Sequence, residues 1–529
     1  MQKRITVLFF VFSLVFGILF VKIATITESD IAETAAAKNS ISTIVTNTRG
    51  YIYDRNFLPL VNCDEKLMTA IKPSNEVLQA IPSAVSEDKI EDVFNTVSSG
   101  KIAVCDGTSP LSEKNIKTVS AVIRYGENSL APHITGYIDI DQKGVSGIEK
   151  YYDSVLSSFS GTLKARCSVS ASGRVLDGAE IEFAGKNYNN KGGVALTLDR
   201  EIQKASEDAL KEFNINTGAV VVLDAQTSEI RAMASAPVFD RNAPELSLNA
   251  ENSPFVNRAV TPYSVGSVFK VVVAAAAIEK GISTDFSYTC TGAFKLGQNT
   301  FGCHKNDGHG TLNMFGGMAQ SCNPYFINLA LNTGSSAVCE MGDGLGLGKK
   351  IELADGWYTS EGIMPSASDI VSDADLSNLA FGQGTLLASP LQMAAVYAAI
   401  ANSGIYRAPS LMQSMVSEDG EEYMRAELPA SRRAMSDSTA KTLTALLRDT
   451  VVSGSGKKAE TENKDAAGKT ATAQSGWINA DGDEATQSWF CGFFPYDAPK
   501  YVIVILKENG DGGSSDCAPV FKYIADKIS

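Results

Sequence analysis

Tyr263-Ser264-Val265-Gly266-Ser267-Val268-Phe269-Lys270-Val271-Val272-Val273-Ala274-Ala275-Ala276-Ala277-Ile278-Glu279-Lys280-Gly281 is the stretch around which the remaining sequence is arranged. Val271 to Ile278 is apolar on every side, which predicts a helix buried all round. Gly281, just after Glu279-Lys280, is a stop signal. Ser267 then falls in the first turn, where the helix dipole stabilises developing negative charge. Lys270, three residues on, shares its face. Burial lowers a lysine's pKa towards that of a usable base, and a neutral amine within reach activates a serine nucleophile. Ser-x-x-Lys also occurs at Ser86/Lys89, Ser98/Lys101, Ser438/Lys441 and Ser455/Lys458, in polar surroundings, so the pair at Ser267 needs partners.

Outward from this helix, strand patterns lie on both sides. Upstream, Val194 to Leu198 reads as a strand, and Asp199 caps a helix with Ile202, Ala205, Ala209, Leu210 and Phe213 on one face. Gly218 to Asp224 and Glu229 to Ser235 form a hairpin around Ala225-Gln226-Thr227-Ser228. Downstream a mainly helical region runs to about residue 450. Strands return at Gly468 to Gln474, Ser488 to Phe494 and Tyr501 to Lys507, and an amphipathic helix, Val520 to Ile528, follows. Strands at both ends with helices between them predict one antiparallel sheet packed by helices, an α/β arrangement of the α+β type.

The chain has 529 residues, room for two or three domains, and a net charge of -14, which argues against nucleic acid as a partner. Lys3-Arg4 precedes Ile5 to Val21, a run without charge, and Glu28, Asp30 and Glu33 follow it. This reads as a single membrane anchor with the N-terminus inside and the rest outside the cytoplasm. The competing reading is a signal peptide cleaved near Ala35-Ala36-Ala37. The expected domains are 1-27, tip and transmembrane helix; 28-190, a β-rich pedestal domain without a sustained helical or strand period; and 191-529. Within the second, Arg49-Gly50-Tyr51-Ile52-Tyr53-Asp54-Arg55-Asn56 reads on physical grounds as a surface strand entering a turn.

Two further segments bear on Ser267. Ser321-Cys322-Asn323 stands before Pro324, which biases Asn323 away from helical geometry and predicts a loop tip presenting a hydroxyl and an amide. Lys469-Thr470-Ala471-Thr472 alternates so that Thr470 and Thr472 share a side, a row of hydroxyls suited to an anionic carboxylate.

The three segments in this order resemble the Ser-x-x-Lys, Ser-x-Asn and Lys-Thr-Gly trio of penicillin-binding proteins and serine β-lactamases. The resemblance covers nearly the whole chain. Arg49 to Asn56 after one N-terminal span is similar to the class B, monofunctional penicillin-binding proteins. Gly308-His309-Gly310, Phe381-Gly382-Gln383-Gly384, Ser389-Pro390-Leu391-Gln392-Met393-Ala394 and Trp489-Phe490-Cys491-Gly492-Phe493 also match. The resemblance implies a penicillin-binding transpeptidase domain of serine β-lactamase-like fold at 191-529, on a pedestal or dimerisation-like domain. It implies peptidoglycan D,D-transpeptidation, with stem peptides and β-lactams as ligands and a membrane-embedded glycan polymerase as partner. By the same resemblance Ser267 is the nucleophile, Lys270 its base, Ser321 the proton carrier and Lys469 its electrostatic guide. Asn323 holds the donor peptide, Thr470 and Thr472 its carboxylate, and the backbone N–H groups of Ser267 and Thr472 form the oxyanion hole. No metal or nucleotide is required.

The chain departs from the pattern at Val265, where proline is usual, and at Ala471, where glycine is usual. The Ala471 methyl is expected to narrow the strand's approach to substrate. Cys290, Cys303, His304 and His309 lie close in sequence, but the spacings of a zinc site are absent, so no metal is expected; a Cys290–Cys303 disulfide is the alternative. Nine cysteines, an odd count, leave at least one thiol unpaired. A D,D-carboxypeptidase or β-lactamase on the same fold is the competing enzyme, and a membrane-anchored β-lactam sensor or scaffold the competing non-enzyme. The hydrolase needs a carboxylate to activate water, and the sequence singles out none.

Overall fold

The computed structural model describes all residues except 1, 28–38, 86–88, 177, 479–481 and 483. The expected signal cleavage site at Ala35-Ala36-Ala37 and the acidic flank Glu28, Asp30 and Glu33 lie outside the described residues. Helix α1, Gln2–Thr27, contains an apolar run, Lys3–Thr25, long enough to cross a membrane.

The chain divides into two compact units, described separately. The first comprises residues 1–49, 62–127 and 158–190. It holds two three-stranded antiparallel sheets: Ser40–Thr48, Gly161–Ser168 and Glu182–Lys186 in one, Ala103–Asp106, Asp64–Ile71 and Ile116–Ile123 in the other. Gly161–Ser168 does alternate, with Leu163, Ala165 and Cys167 buried between more exposed polar neighbours. Scattered Gly, Ser and Lys around it conceal that period in the sequence.

The second unit comprises residues 50–61, 128–157 and 191–529. Helix α2, Arg200–Glu212, is capped by the Asp199 carboxylate, which accepts from the Glu201 and Ile202 N–H groups. The hairpin forms as expected, β1 Gly218–Asp224 with β2 Ile230–Ala236. Helices α3 Lys270–Glu279, α4 Asn323–Thr333, α5 Pro390–Ala401 and α6 Asp437–Val452 follow. Strands β3 Ala467–Ile478, β4 Glu484–Phe494 and β5 Tyr501–Glu508 and helix α7 Ala518–Ile528 complete the order. The sheet runs β2-β1-β5-β4-β3, antiparallel throughout, so segments from distant sequence share one sheet and β3 is an edge.

The sheet is covered on both faces. Val220, Val222, Ile503, Ile505, Phe490 and Phe494 meet Ile202 and Leu210 of α2 and Val520, Phe521 and Ile524 of α7. The intervening residues turn to the other side, where α5 packs on β1, β4 and β5. Each Val, Ile or Leu so buried contributes about 1.5–3 kcal/mol.

Tyr51–Tyr53 corrects the surface-strand expectation. It pairs in parallel with Gly193–Leu196, and Asp54 is wholly buried. The Asp54 carboxylate accepts from the N–H groups of Asn56, Leu58 and Arg200, while the Arg200 guanidinium donates to the carbonyls of Pro59 and Asn128. A buried carboxylate persists only with such donors, which this turn supplies.

Candidate active site

Ser267 stands in a 3-10 turn, Gly266–Phe269, that runs into α3, rather than in the first turn of α3 itself. The turn is held from three sides. Gly266, at φ +60, donates its N–H to the Gly382 carbonyl at 2.9 Å; the Trp489 indole donates to the Ser264 carbonyl, and the Tyr397 hydroxyl to that of Val268. Gly382 must be glycine, since a Cβ there would lie 2.0 Å from the Gly266 oxygen. Thus Gly382, within Phe381-Gly382-Gln383-Gly384, and Trp489 hold the backbone around Ser267.

Lys270 is completely buried and has no ion pair among the described residues. Its ammonium donates to the Ser321 carbonyl at 2.8 Å, Ser321 Oγ at 3.3 Å and Asn323 Oδ1 at 2.7 Å, and lies 5.4 Å from the centre of the Phe326 ring. Burial pushes its pKa down to about 7, against smaller opposing effects of Cys322 and Cys303. The structure therefore gathers Lys270, Ser321 and Asn323; among the described residues no hydrogen bond joins Ser267 to Lys270. Apo sites often tighten such contacts only when substrate arrives.

Ser321 adopts φ +53, a costly conformation for a residue with a Cβ. Asn323 is not a loop tip: it is the first residue of α4, with Cys322 as N-cap and Pro324 in the opening turn. Proline is favoured there because its missing N–H and fixed φ cost nothing in the first turn.

Lys469 on β3 is also completely buried, and its pKa is held well below the usual value by burial and then by the Lys270 charge. Its ammonium donates to the Thr470 carbonyl at 3.1 Å, with no hydrogen bond to Ser321 among the described residues. Thr470 donates to Ser455 Oγ at 2.8 Å, a partner that Ser455-x-x-Lys458 gave no reason to select. The Thr472 hydroxyl is exposed and accepts from the Gly513 N–H. Ala471 alternates with these two threonines along β3. Its side chain is 4% exposed, and a Cβ built on Gly266 would touch the Ala471 methyl at 3.5 Å. The methyl faces the Ser267 turn because alternation sends it opposite to the threonines.

Ser389-Pro390-Leu391-Gln392 is a capping box for α5: the Ser389 hydroxyl accepts from the Gln392 N–H and the Gln392 amide oxygen from the Ser389 N–H. That motif is architectural. Cys290 and Cys303 are both free thiols and form no disulfide with each other. Instead Cys290, Cys303, His309 and Cys322 converge, their ligand atoms all within 4.8 Å of one another. Cys322 joins the set in place of His304, a convergence that no short sequence spacing encodes.

The family model for the penicillin binding protein transpeptidase domain matches residues 218–526, well over half of the chain. PbpB of Mycolicibacterium smegmatis is 33% identical over 76% of this chain and 64% of its own length. The chain spans about three fifths of the length of this relative and of PbpB of Mycobacterium tuberculosis. Among solved structures, the D,D-transpeptidase domain of a peptidoglycan glycosyltransferase from Eggerthella lenta superposes with a TM-score of 0.65 at 26% identity, covering 91% of this chain and 98% of that one. Penicillin-binding protein 3 of Mycobacterium tuberculosis, complexed with ampicillin, gives 0.66 at 26% identity, covering 92% and 95%. Sheet order, buried lysine pair and family match agree, and the chain belongs to the penicillin-binding protein transpeptidase family.

Proposed function

We propose that the chain is a serine D,D-transpeptidase that cross-links peptidoglycan stem peptides and is acylated by β-lactams. The observation that carries this reading is the buried Lys270 ammonium, held between Ser321 and Asn323 three residues from Ser267. Ser267 Oγ attacks the carbonyl of the penultimate D-Ala while Lys270, as the neutral amine, takes its proton. The amide to the terminal D-Ala breaks, and that D-Ala leaves with a proton delivered through Ser321, which Lys469 orients electrostatically. The N–H groups of Ser267 and Thr472 stabilise the oxyanion, an effect of about 3–4 kcal/mol per donor. Asn323 holds the donor peptide, and Thr470 and Thr472 its carboxylate. An amine of a second stem then attacks the ester, restoring Ser267 and forming the cross-link.

Edge strand β3 suits a peptide that lies alongside it. Among the described residues no carboxylate hydrogen-bonds to Ser267, Lys270, Ser321, Asn323 or Lys469, which disfavours a dedicated hydrolase. Residues 28–190, apart from 50–61 and 128–157, act as the pedestal domain, and 191–529 with those two segments act as the transpeptidase domain. Helix α1 anchors the catalytic domain outside the cytoplasm, beside a membrane-embedded glycan polymerase; the charge of -14 supports no nucleic-acid role.

Labelling membranes with a fluorescent penicillin tests the reading. The intact chain is expected to label and Ser267→Ala to remain dark; labelling that persists in the variant, or an adduct mapped to another serine, would refute it.

A further inference from the structure

Between Tyr288 and Leu312 the chain forms two short ribbons, Tyr288–Cys290 with Gly310–Leu312 and Ala293–Leu296 with Asn299–Gly302. The buried apolar side chains in this whole segment are Cys290 and Cys303. So small a folded element, with so little apolar burial of its own, ordinarily needs a disulfide or a metal, and its cysteines are free thiols.

We propose that Cys290, Cys303, His309 and Cys322 bind one structural zinc ion that clamps this segment to the Ser321–Asn323 turn. Zinc–sulfur bonds of about 2.3 Å and a zinc–nitrogen bond of about 2.0–2.1 Å, arranged tetrahedrally, place sulfurs about 3.8 Å apart and sulfur and nitrogen about 3.6 Å apart. Cys303 Sγ and His309 Nδ1 are 3.4 Å apart, and all four ligand atoms lie within 4.8 Å of one another. Cys290, Cys303 and Cys322 are 2%, 6% and 0% exposed, which leaves the set closed, as in structural rather than catalytic zinc sites. Three sulfurs and an imidazole select a soft, tetrahedral ion such as zinc over magnesium or calcium. Each thiol gives up its proton on binding.

Cys322 is the residue between Ser321 and Asn323, the two that hold the Lys270 ammonium. Fixing its sulfur fixes the backbone on either side, including Ser321 at φ +53. Cys322 is thus a positioning residue. This second part rests on the function proposed above; the metal site does not.

The test uses the full chain purified in detergent without added metal. Elemental analysis is expected to find about one zinc per chain in the parent and less than about a tenth of that in Cys303→Ala, while Cys290→His, which keeps a ligand, retains the ion. If Cys303→Ala fails to fold, the parent reloaded with cobalt provides the second readout: sulfur-to-cobalt charge-transfer bands are expected. Stripping with a chelator should slow the acylation step with fluorescent penicillin by about 10–100-fold, more than it weakens penicillin affinity, and added zinc should restore it. A parent free of zinc, stoichiometric iron in its place, or a Cys303→Ala variant with undiminished zinc overturns the site. Unchanged acylation after stripping overturns the positioning role. A zinc-loaded chain that no penicillin labels would refute the proposed function and leave the site standing.

Discussion

From Val265 to Ala277 every residue but Ser267 is buried, whereas from Tyr288 to Leu312 the buried apolar side chains are two cysteines. Both stretches bear on Lys270: the first carries it, and the second accepts, at the Gly302 carbonyl, a 3.4 Å hydrogen bond from the side-chain amide of Asn323, which holds the Lys270 ammonium. The first is held by apolar burial on all sides and by three hydrogen bonds onto the turn that contains Ser267. The second has hydrogen-bonded ribbons and a knot of sulfur and imidazole. Lys270 is placed where packing is rigid, and the Gly302 carbonyl that holds the Asn323 amide is placed where cohesion depends on a few polar atoms. Such a division makes one wall robust and the other conditional.

The comparison can be broken most directly at Ser267, the proposed nucleophile. Ser267→Ala removes the attacking oxygen from the rigid wall, and acylation by penicillin is expected to fall by at least about a thousandfold with little change in melting temperature. Stopped-flow acylation and thermal unfolding of the same preparation check both halves. Between the two stretches, Asn323→Ala removes one acceptor of the Lys270 ammonium and the bond to Gly302 together. A loss of about 10–100-fold in acylation is expected, on the usual scale of about 1.5–3 kcal/mol for a hydrogen bond to a charged group.

The pH profile sharpens the reading of Lys270. Its pKa is depressed to about 7 because burial disfavours the ammonium. The amine is therefore protonated below that pH and free to act as base above it. Acylation is expected to rise as pH passes through about 7 and then level off. A flat profile from pH 5 to 9 would mean that Lys270 stays protonated and only orients its neighbours.

Hydrogen exchange separates the walls without any substitution. Amides of α3 are expected to exchange only by global opening, and those of residues 288–312 by local opening at lower cost. Equal protection of the two segments would erase the contrast. The smallest effects are expected on β3. Ser455→Ala leaves the Thr470 hydroxyl without its partner and should cost about 1–2 kcal/mol in urea unfolding. Ala471→Gly should cost about 0.5–1 kcal/mol through backbone entropy. Because the methyl faces Gly266, acylation rates for small and bulky β-lactams should shift together; a selective gain for bulky ones would place it in the groove after all.

Much of this was legible in one dimension because local rules and global packing agreed. An all-apolar run such as Val271 to Ile278 has no soluble alternative to a buried helix, and Asp199 before an amphipathic stretch announces its own cap. The hairpin at Ala225-Gln226-Thr227-Ser228 and the three C-terminal strands follow from patterns within ten residues. Asn323 misled because proline forbids a helix before it yet favours one around it, and only the surrounding packing shows which applies. Asp54 misled because a charge in an extended segment is ordinarily solvated, and its three donors include one 146 residues away.

Sequence alone determined that Lys270 opens a buried helix and that strands from both ends of the C-terminal region complete one sheet, since periodicity and capping are properties of neighbours. Tertiary structure alone decided that Lys270 reaches Ser321 and Asn323, that the Ala471 methyl lies beside Gly266, and that Cys290, Cys303, His309 and Cys322 share one point. Those outcomes depend on how separate elements dock, and docking is set by the fit of whole surfaces, which no spacing along the chain records.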